Sequence, residues 1–499
     1  MPNMADPIWT HATGAPERPA LRSPSTTWNY ATLRDKVAAF AGHLRDRGIS
    51  QGDRVLLIAP SVPEFAVAYY AAQAVGAIVV TLNTMSTPAE IEYVATDSGA
   101  RHIVAWHASA VAGERVASKL TMDLVILDAG AGAATRAPLD EPVERADDDT
   151  AILLYTSGTT GRPKGVQLTV ANLFAVASAF ITQLNFASTE KFGTALPLFH
   201  VFGQCVCMNT VMLAGGSFSV LSPFEPRAML AMIRDHEIDV VAGVPTMWNY
   251  LVHVEGDFGP KDCPDLRLAA SGGASLPVEV IAAFERRFAC TILEGYGLTE
   301  TTGAASYHRD GIEQRAGTVG VALPDTEIVI ESLDGRRAPV GEVGQVLVKG
   351  PTVMKGYWNN EAATAADLSD GWLRTGDLGR LDGDGYLAIV DRAKDLIIRG
   401  GYNVYPREVE EVLYSHPDVV EAAVIGVPDE RYGEEVAAVV VLAPGRELSA
   451  DELRAWLKEQ LSAYKVPHLI RFDDALPKGA TGKILKRAIE WTTDEGATP

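Results

Sequence analysis

From Tyr30 to Arg47 the apolar residues Leu33, Val37, Phe40 and Leu44 recur three or four positions apart, the spacing of one stripe on an amphipathic helix. Gly48 ends that pattern, and Val55-Leu56-Leu57-Ile58 follows as a short apolar run that reads as a buried strand. Another helical pattern opens near Pro63 and leads into Ile78-Val79-Val80. Helix and strand alternating at this pace predict crossover units and a largely parallel sheet. Similar alternation returns between Leu196 and Ile292. After about residue 315 the character changes: short strands over Glu327–Glu331, Gln345–Lys349 and Tyr386–Val390 are separated by Asp334-Gly335, Gly341 and Gly350, which is hairpin chemistry. A last unit begins near Arg392. It holds a helix over Pro406–Ser415, strands over Val420–Val427 and Val436–Leu442, and a capping box of Ser449 and Glu452 opening a helix through Leu461. The expected fold class is α/β: a large N-terminal domain of layered α/β subdomains with a small antiparallel β unit, residues 1–391, followed by a small α+β C-terminal domain, residues 392–499.

Composition narrows the function. At roughly 150 residues per domain, 499 residues amount to about three domain-sized units. With 47% hydrophobic and 21% charged residues the chain can bury large cores, which excludes disorder and disulfide scaffolds. The net charge of −21 repels phosphate backbones at long range, so no nucleic-acid partner is expected. Cys205 and Cys207, spaced C-x-C in an apolar run, read as reduced, buried thiols. The N-terminal MPNMADPIWTHATG has neither the basic nor the apolar region of a signal peptide. The most apolar run, Phe65–Val80, is interrupted by Gln73 and Gly76 and falls short of a membrane span. A cytoplasmic protein is expected. Against the acidic background, Lys465, Arg471, Lys478, Lys483, Lys486 and Arg487 face only Asp473 and Asp474 in their segment, a local basic excess that suits a polyanion or a solvated face.

The most informative stretch is Tyr155-Thr156-Ser157-Gly158-Thr159-Thr160-Gly161-Arg162-Pro163-Lys164-Gly165-Val166, directly after the apolar strand Ala151–Leu154. Glycines admit an anion close to backbone N–H groups, hydroxyls add donors and Lys164 adds a point charge, which together can cradle a polyphosphate. The spacing is not that of the Walker loop, because Pro163 precedes the lysine and Gly165 follows it. A surface turn is the competing reading.

This loop resembles the phosphate loop of the adenylate-forming superfamily, which includes acyl-CoA synthetases, amino-acid adenylation domains and luciferases. Four further motifs agree in the family's order: Gly295-Tyr296-Gly297-Leu298-Thr299-Glu300, Thr375-Gly376-Asp377, Asp391-Arg392-Ala393-Lys394 leading to Gly400-Gly401, and Pro477-Lys478-Gly479 through Lys483. The resemblance covers essentially the whole chain and implies two half-reactions. A carboxylate attacks the α-phosphate of ATP, and a thiol, that of CoA, then displaces AMP. It implies that Lys483 bridges carboxylate and α-phosphate, that Thr299 donates to the phosphate, and that Glu300 and the Thr159 hydroxyl hold Mg2+. Thr156, Ser157, Gly158, Thr159, Thr160, Gly161 and Lys164 are the expected phosphate cradle. Tyr296, between Gly295 and Gly297, offers a face to adenine opposite Gly273-Ala274. Asp377 takes the ribose hydroxyls, with a turn role as its alternative, and Arg392 adds a donor. Lys394 is the implied hinge of a mobile C-terminal domain that brings Gly400-Gly401 to the CoA arm. Acetylation of Lys483 by a protein acetyltransferase is expected to remove its charge and stop adenylation.

His200, in Pro197-Leu198-Phe199-His200, matches the family's aromatic motif at the acyl pocket. The expected walls, Phe199–Val211, Val241–Leu251, Ser271–Ala274 and Thr301–Ala305, contain no Asp, Glu, Lys or Arg. A second carboxylate, as in malonate, would be buried unpaired there, and an amino acid's ammonium would find no partner. Apolar monocarboxylates are therefore expected, medium- or long-chain fatty acids first and aryl or phenylpropenoid acids second. A peripheral membrane contact would serve a lipid substrate. A carrier protein in place of CoA is the alternative acceptor, and luciferase-like oxygenation shares the adenylation parts. A binding protein that had lost catalysis would show erosion at Lys164, Glu300, Asp377, Arg392 or Lys483, and all five are present.

Overall fold

The computed structural model describes residues 2–130, 137–156, 162–332, 334–479 and 482–491. The alternating N-terminal pattern builds a seven-stranded sheet in the order Gly356–Tyr357, Lys164–Thr169, Thr150–Thr156, Ile78–Leu82, Arg54–Ile58, His102–Trp106, Asp123–Leu127. From Thr150–Thr156 to Asp123–Leu127 its neighbours are parallel. Strand side chains point alternately to opposite faces, so Val55 and Leu57 enter one core while Leu56 and Ile58 enter another. The apolar run of Arg54–Ile58 is thus a strand covered on both sides. Helix Pro63–Ala74 is buried at every residue and shares the largest core with both large sheets and helix Tyr30–Asp46.

A nine-stranded sheet forms the second layer, with Ser217–Val220, Lys191–Thr194, Val240–Gly243, Leu268–Ser271 and Thr291–Tyr296 running parallel side by side. The small antiparallel unit pairs Glu327–Glu331, Gly344–Lys349, Trp372–Leu381 and Leu387–Arg392. Strand Glu327–Glu331 begins and ends where the sequence places it. Thr375-Gly376-Asp377 lies inside strand Trp372–Leu381, not in a free turn.

In the C-terminal part, Val419–Asp429 pairs antiparallel with Gly433–Leu442, which also takes Leu469–Phe472 in parallel. Helices Pro406–Tyr414 and Ala450–Lys458 pack their apolar stripes on this sheet. The Ser449–Glu452 capping box is present, but the helix ends at Lys458, short of Leu461. Helix Pro245–His253 of the large sheet region meets this unit: the Asn249 amide donates to Val420 O at 2.8 Å and the Tyr250 hydroxyl to Glu421 at 3.2 Å. Among the described residues no helix is long and apolar enough to cross a membrane.

One buried side chain ties the antiparallel unit to the layers. Asn172 caps helix Val170–Gln183 together with Thr169, and its amide donates to Pro351 O at 2.7 Å and Val353 O at 3.0 Å. Asn172→Ala strands both carbonyls and should cost about 2–3 kcal/mol. A lowered urea midpoint is the expected result, and an unchanged midpoint would show that the anchor lies elsewhere.

Candidate active site

The carboxyl ends of parallel strands are where loops leave a sheet and open a crevice. Here Leu268–Ser271 runs into Gly272-Gly273, and its neighbour Thr291–Tyr296 runs into Gly297. Both edges line a cavity of about 700 Å3, joined by Thr156 from the seven-stranded sheet, Asp377 from the antiparallel unit and Lys483 from the C-terminal tail. The glycines around Tyr296 are required by space. A Cβ on Gly295 would lie 1.8 Å from the Tyr307 ring, and one on Gly297 would lie 2.3 Å from Gly303 O.

Tyr296 is fixed from outside the strand. Its hydroxyl donates to Asp377 Oδ2 at 2.6 Å, and Arg392 Nε stands 3.2 Å from Asp377 Oδ1. Burial raises the Asp377 carboxyl above its ordinary value, while Arg392, Tyr296 and Lys483 oppose that rise. Gly479 N donates to Lys483 O at 2.8 Å, and the Thr246 hydroxyl donates to Gly482 O at 3.1 Å. The Lys483 ammonium is open to the cavity, yet enclosing protein and the Arg392 guanidinium push it down to about 8. The half-buried His200, facing that ammonium, is pushed down to about 4 by desolvation and by Lys483 and is neutral at physiological pH. Its Nδ1 accepts from Phe202 N at 3.3 Å.

On another side of the cavity Glu300 lies 3.2 Å from the Tyr357 hydroxyl, and the Thr156 hydroxyl reaches the same oxygen at 3.5 Å. Burial raises the Glu300 carboxyl. One carboxylate with hydroxyl neighbours is the donor set that Mg2+ takes when phosphates supply the remaining ligands. Thr299, at the start of the short turn Thr299–Thr301, also faces the cavity.

Beyond His200 the chamber is walled by Phe180, Leu196, Val201, Phe202, Ala304 and Tyr307. Phe180 and Tyr307 meet edge to face with centroids 4.7 Å apart. The Tyr307 hydroxyl is engaged with Ser271 O and Leu293 O, both at 3.2 Å, so the ring presents an apolar surface.

The structure brings Thr156, Lys164, His200, Gly273, Gly295, Tyr296, Gly297, Thr299, Glu300, Asp377, Arg392, Lys394 and Lys483 to one cavity, and Ala274 lines the adjoining cleft between the domains. Ser157, Gly158, Thr159, Thr160 and Gly161 lie outside the described residues. Gly400 and Gly401 form the turn between Ile397–Arg399 and Tyr402–Val404 and are not among the cavity's walls. The basic excess of the tail is largely spent within its own domain: Lys465 pairs with Glu408, Arg471 with Asp473, Lys478 with Glu421 and Lys486 with Glu410. Sequence reasoning did not single out Phe180, Leu196, Tyr307, Tyr357 or Asp367, whose places follow from long-range pairing.

Residues 8–358 match the family described as AMP-binding enzyme, and residues 408–483 match the AMP-binding enzyme C-terminal domain. A feruloyl-CoA synthase from an Amycolatopsis species is 39% identical over 476 residues, covering 95% of this chain and 95% of that protein. A long-chain-fatty-acid–CoA ligase from Bacillus subtilis strain 168 is 36% identical over 494 residues, covering 91% and 87%. The crystal structure of ATP-bound MatB from Rhodopseudomonas palustris aligns with a TM-score of 0.91 at 32% identity, over 97% of each chain.

The lowered ammonium can be measured without any substrate. Competitive labelling with acetic anhydride should show Lys483 titrating near 8, about two units below an ordinary lysine. A midpoint near 10.4 would show that the tail does not seat in the cavity in solution.

Proposed function

The chain belongs to the AMP-binding enzyme family and is an ATP-dependent acyl-CoA ligase, and from that premise we propose that it activates an aryl or phenylpropenoid acid. The chamber beyond His200 carries this choice. Its lining includes the Phe180, Phe202 and Tyr307 rings, and it belongs to a cavity of about 700 Å3 that must also admit the nucleotide. An aromatic acid can pack its ring against such walls. The feruloyl-CoA synthase, 39% identical, supports the same choice. A medium- or long-chain fatty acid is the second reading, favoured by the apolar Leu196, Val201 and Ala304 in the lining and by the 36% identical fatty-acid ligase.

In the first half-reaction a carboxylate oxygen attacks the α-phosphorus, the bond to the β-phosphate breaks, and pyrophosphate leaves. Two anions must meet, so catalysis consists of cations and donors placed where charge develops. Lys483 provides the ammonium between carboxylate and α-phosphate, and Thr299 donates to that phosphate. Lys164, Thr156 and the glycine-rich segment 157–161 receive the β- and γ-phosphates. Glu300 and Thr159 are the residues that would hold Mg2+, which supplies charge neutralisation on the phosphates. Tyr296 stacks on adenine with Gly273 and Ala274 opposite, Asp377 accepts from the ribose hydroxyls and Arg392 adds a donor. Neutral His200 closes the acyl chamber beside Lys483 without adding charge.

In the second half-reaction the CoA sulfur attacks the acyl carbonyl and AMP leaves. We assign the domain movement for this step to residues 392–499, turning about Lys394 and carrying Gly400-Gly401 toward the pantetheine arm. Acetylation of Lys483 by a protein acetyltransferase removes the ammonium and silences the first half-reaction.

The test is pyrophosphate release from ATP and Mg2+ with acids from acetate to palmitate, benzoate, coumarate, ferulate, malonate and several amino acids, each with and without CoA. Coumarate or ferulate should give the highest kcat/KM, with turnover dependent on CoA. A palmitate optimum would establish the second reading. Adenylate formation indifferent to CoA would point to a carrier-protein acceptor.

A further inference from the structure

Lys164 is expected to meet polyphosphate, yet it is not free to do so. Its Nζ lies 3.2 Å from Asp367 Oδ2 and 4.4 Å from the centre of the Tyr357 ring. The Tyr357 hydroxyl donates to Asp367 at 3.0 Å and reaches Glu300 at 3.2 Å. A chain of contacts therefore runs from Lys164 through Asp367 and Tyr357 to Glu300 and Thr156, all facing the same cavity. Asp367 is costly where it sits. It is the last residue of helix Glu361–Asp367, the negative end of the helix, and it places a second carboxylate in a site meant for anions. Nothing in the packing of that helix asks for a carboxylate, since its final turn is half-exposed.

We propose that Asp367 is a positioning residue that competes with polyphosphate for the Lys164 ammonium and so loosens the hold of the site on the pyrophosphate product. With the pair formed, the Lys164 charge is offset by Asp367. With nucleotide bound, the pair is strained by the phosphates, and its re-formation accompanies pyrophosphate departure. The carboxylate is 35% exposed, so water and salt screen it and the effect is modest. This rests on the phosphate-cradle role given above to Lys164, and not on the identity of the acid.

Titration calorimetry of magnesium pyrophosphate into the purified full-length protein tests it, with no acid or CoA present. Asp367→Asn and Asp367→Ser should bind pyrophosphate roughly three- to tenfold more tightly, the scale of removing one partly screened charge. Asp367→Glu should restore wild-type affinity. The pyrophosphate inhibition constant in turnover should fall in parallel, and the gain should shrink as ionic strength rises. A gain of affinity is not what structural damage produces. Equal or weaker binding by both neutral variants would overturn the role of Asp367, while absence of binding by every form, wild type included, would overturn the cradle itself.

Discussion

A chain of net charge −21 that must bring a carboxylate against a triphosphate depends on where it places a few cations. The Lys483 ammonium is the most exacting of these. It reaches the cavity from the C-terminal tail, is pushed down to about 8 by enclosure and by Arg392, and is drawn the other way by Asp377 and Asp395. Most of the tail's other basic side chains are neutralised by carboxylates of their own domain, which leaves Lys483 as the charge the tail delivers to the cavity. The contacts of Asn249, Tyr250 and Thr246 with the C-terminal part hold that delivery in register.

The second element is rigidity around Tyr296. Two glycines that no side chain could replace let strand Thr291–Tyr296 pass the Tyr307 ring and the Gly303–Ala304 backbone, and the Tyr296 hydroxyl is then locked to a buried Asp377. That lock crosses from the nine-stranded sheet to the antiparallel unit, so the position of Asp377 depends on how the unit is seated, and Asn172 is one of its fastenings. Binding and stability are thereby joined in a small number of long-range hydrogen bonds.

Much of this was legible in the sequence, for identifiable reasons. The helical period gave Tyr30–Asp46, a continuous apolar run gave Arg54–Ile58, and the flanking turn residues bounded strand Glu327–Glu331. The glycine- and hydroxyl-rich motifs marked many of the polar residues that gather at the cavity. What escaped depended on distant partners. Strand Trp372–Leu381 contains Thr-Gly-Asp, locally a turn signal, and Gly376 does adopt φ +74° within it; only pairing with Gly344–Lys349 and Leu387–Arg392 makes it a strand. Tyr357 reaches the cavity because Gly356–Tyr357 pairs with Lys164–Thr169, and Asp367 meets Lys164 across 203 positions of sequence. Phe180 lies on helix Val170–Gln183 and meets the Tyr307 ring from a distant part of the chain. The basic tail segment misled in the opposite direction, since its excess of charge is local in sequence and largely cancelled in space.

We assign Lys483 to the adenylation step alone, and substituting it separates the two half-reactions. Lys483→Ala should lose pyrophosphate release by a factor of at least about a hundred, the range for removal of one preorganised charge contact. The same protein, given synthetic acyl-adenylate and CoA, should form thioester at close to the wild-type rate. Equal loss in both half-reactions would contradict the claim, and so would pyrophosphate release that survives the substitution.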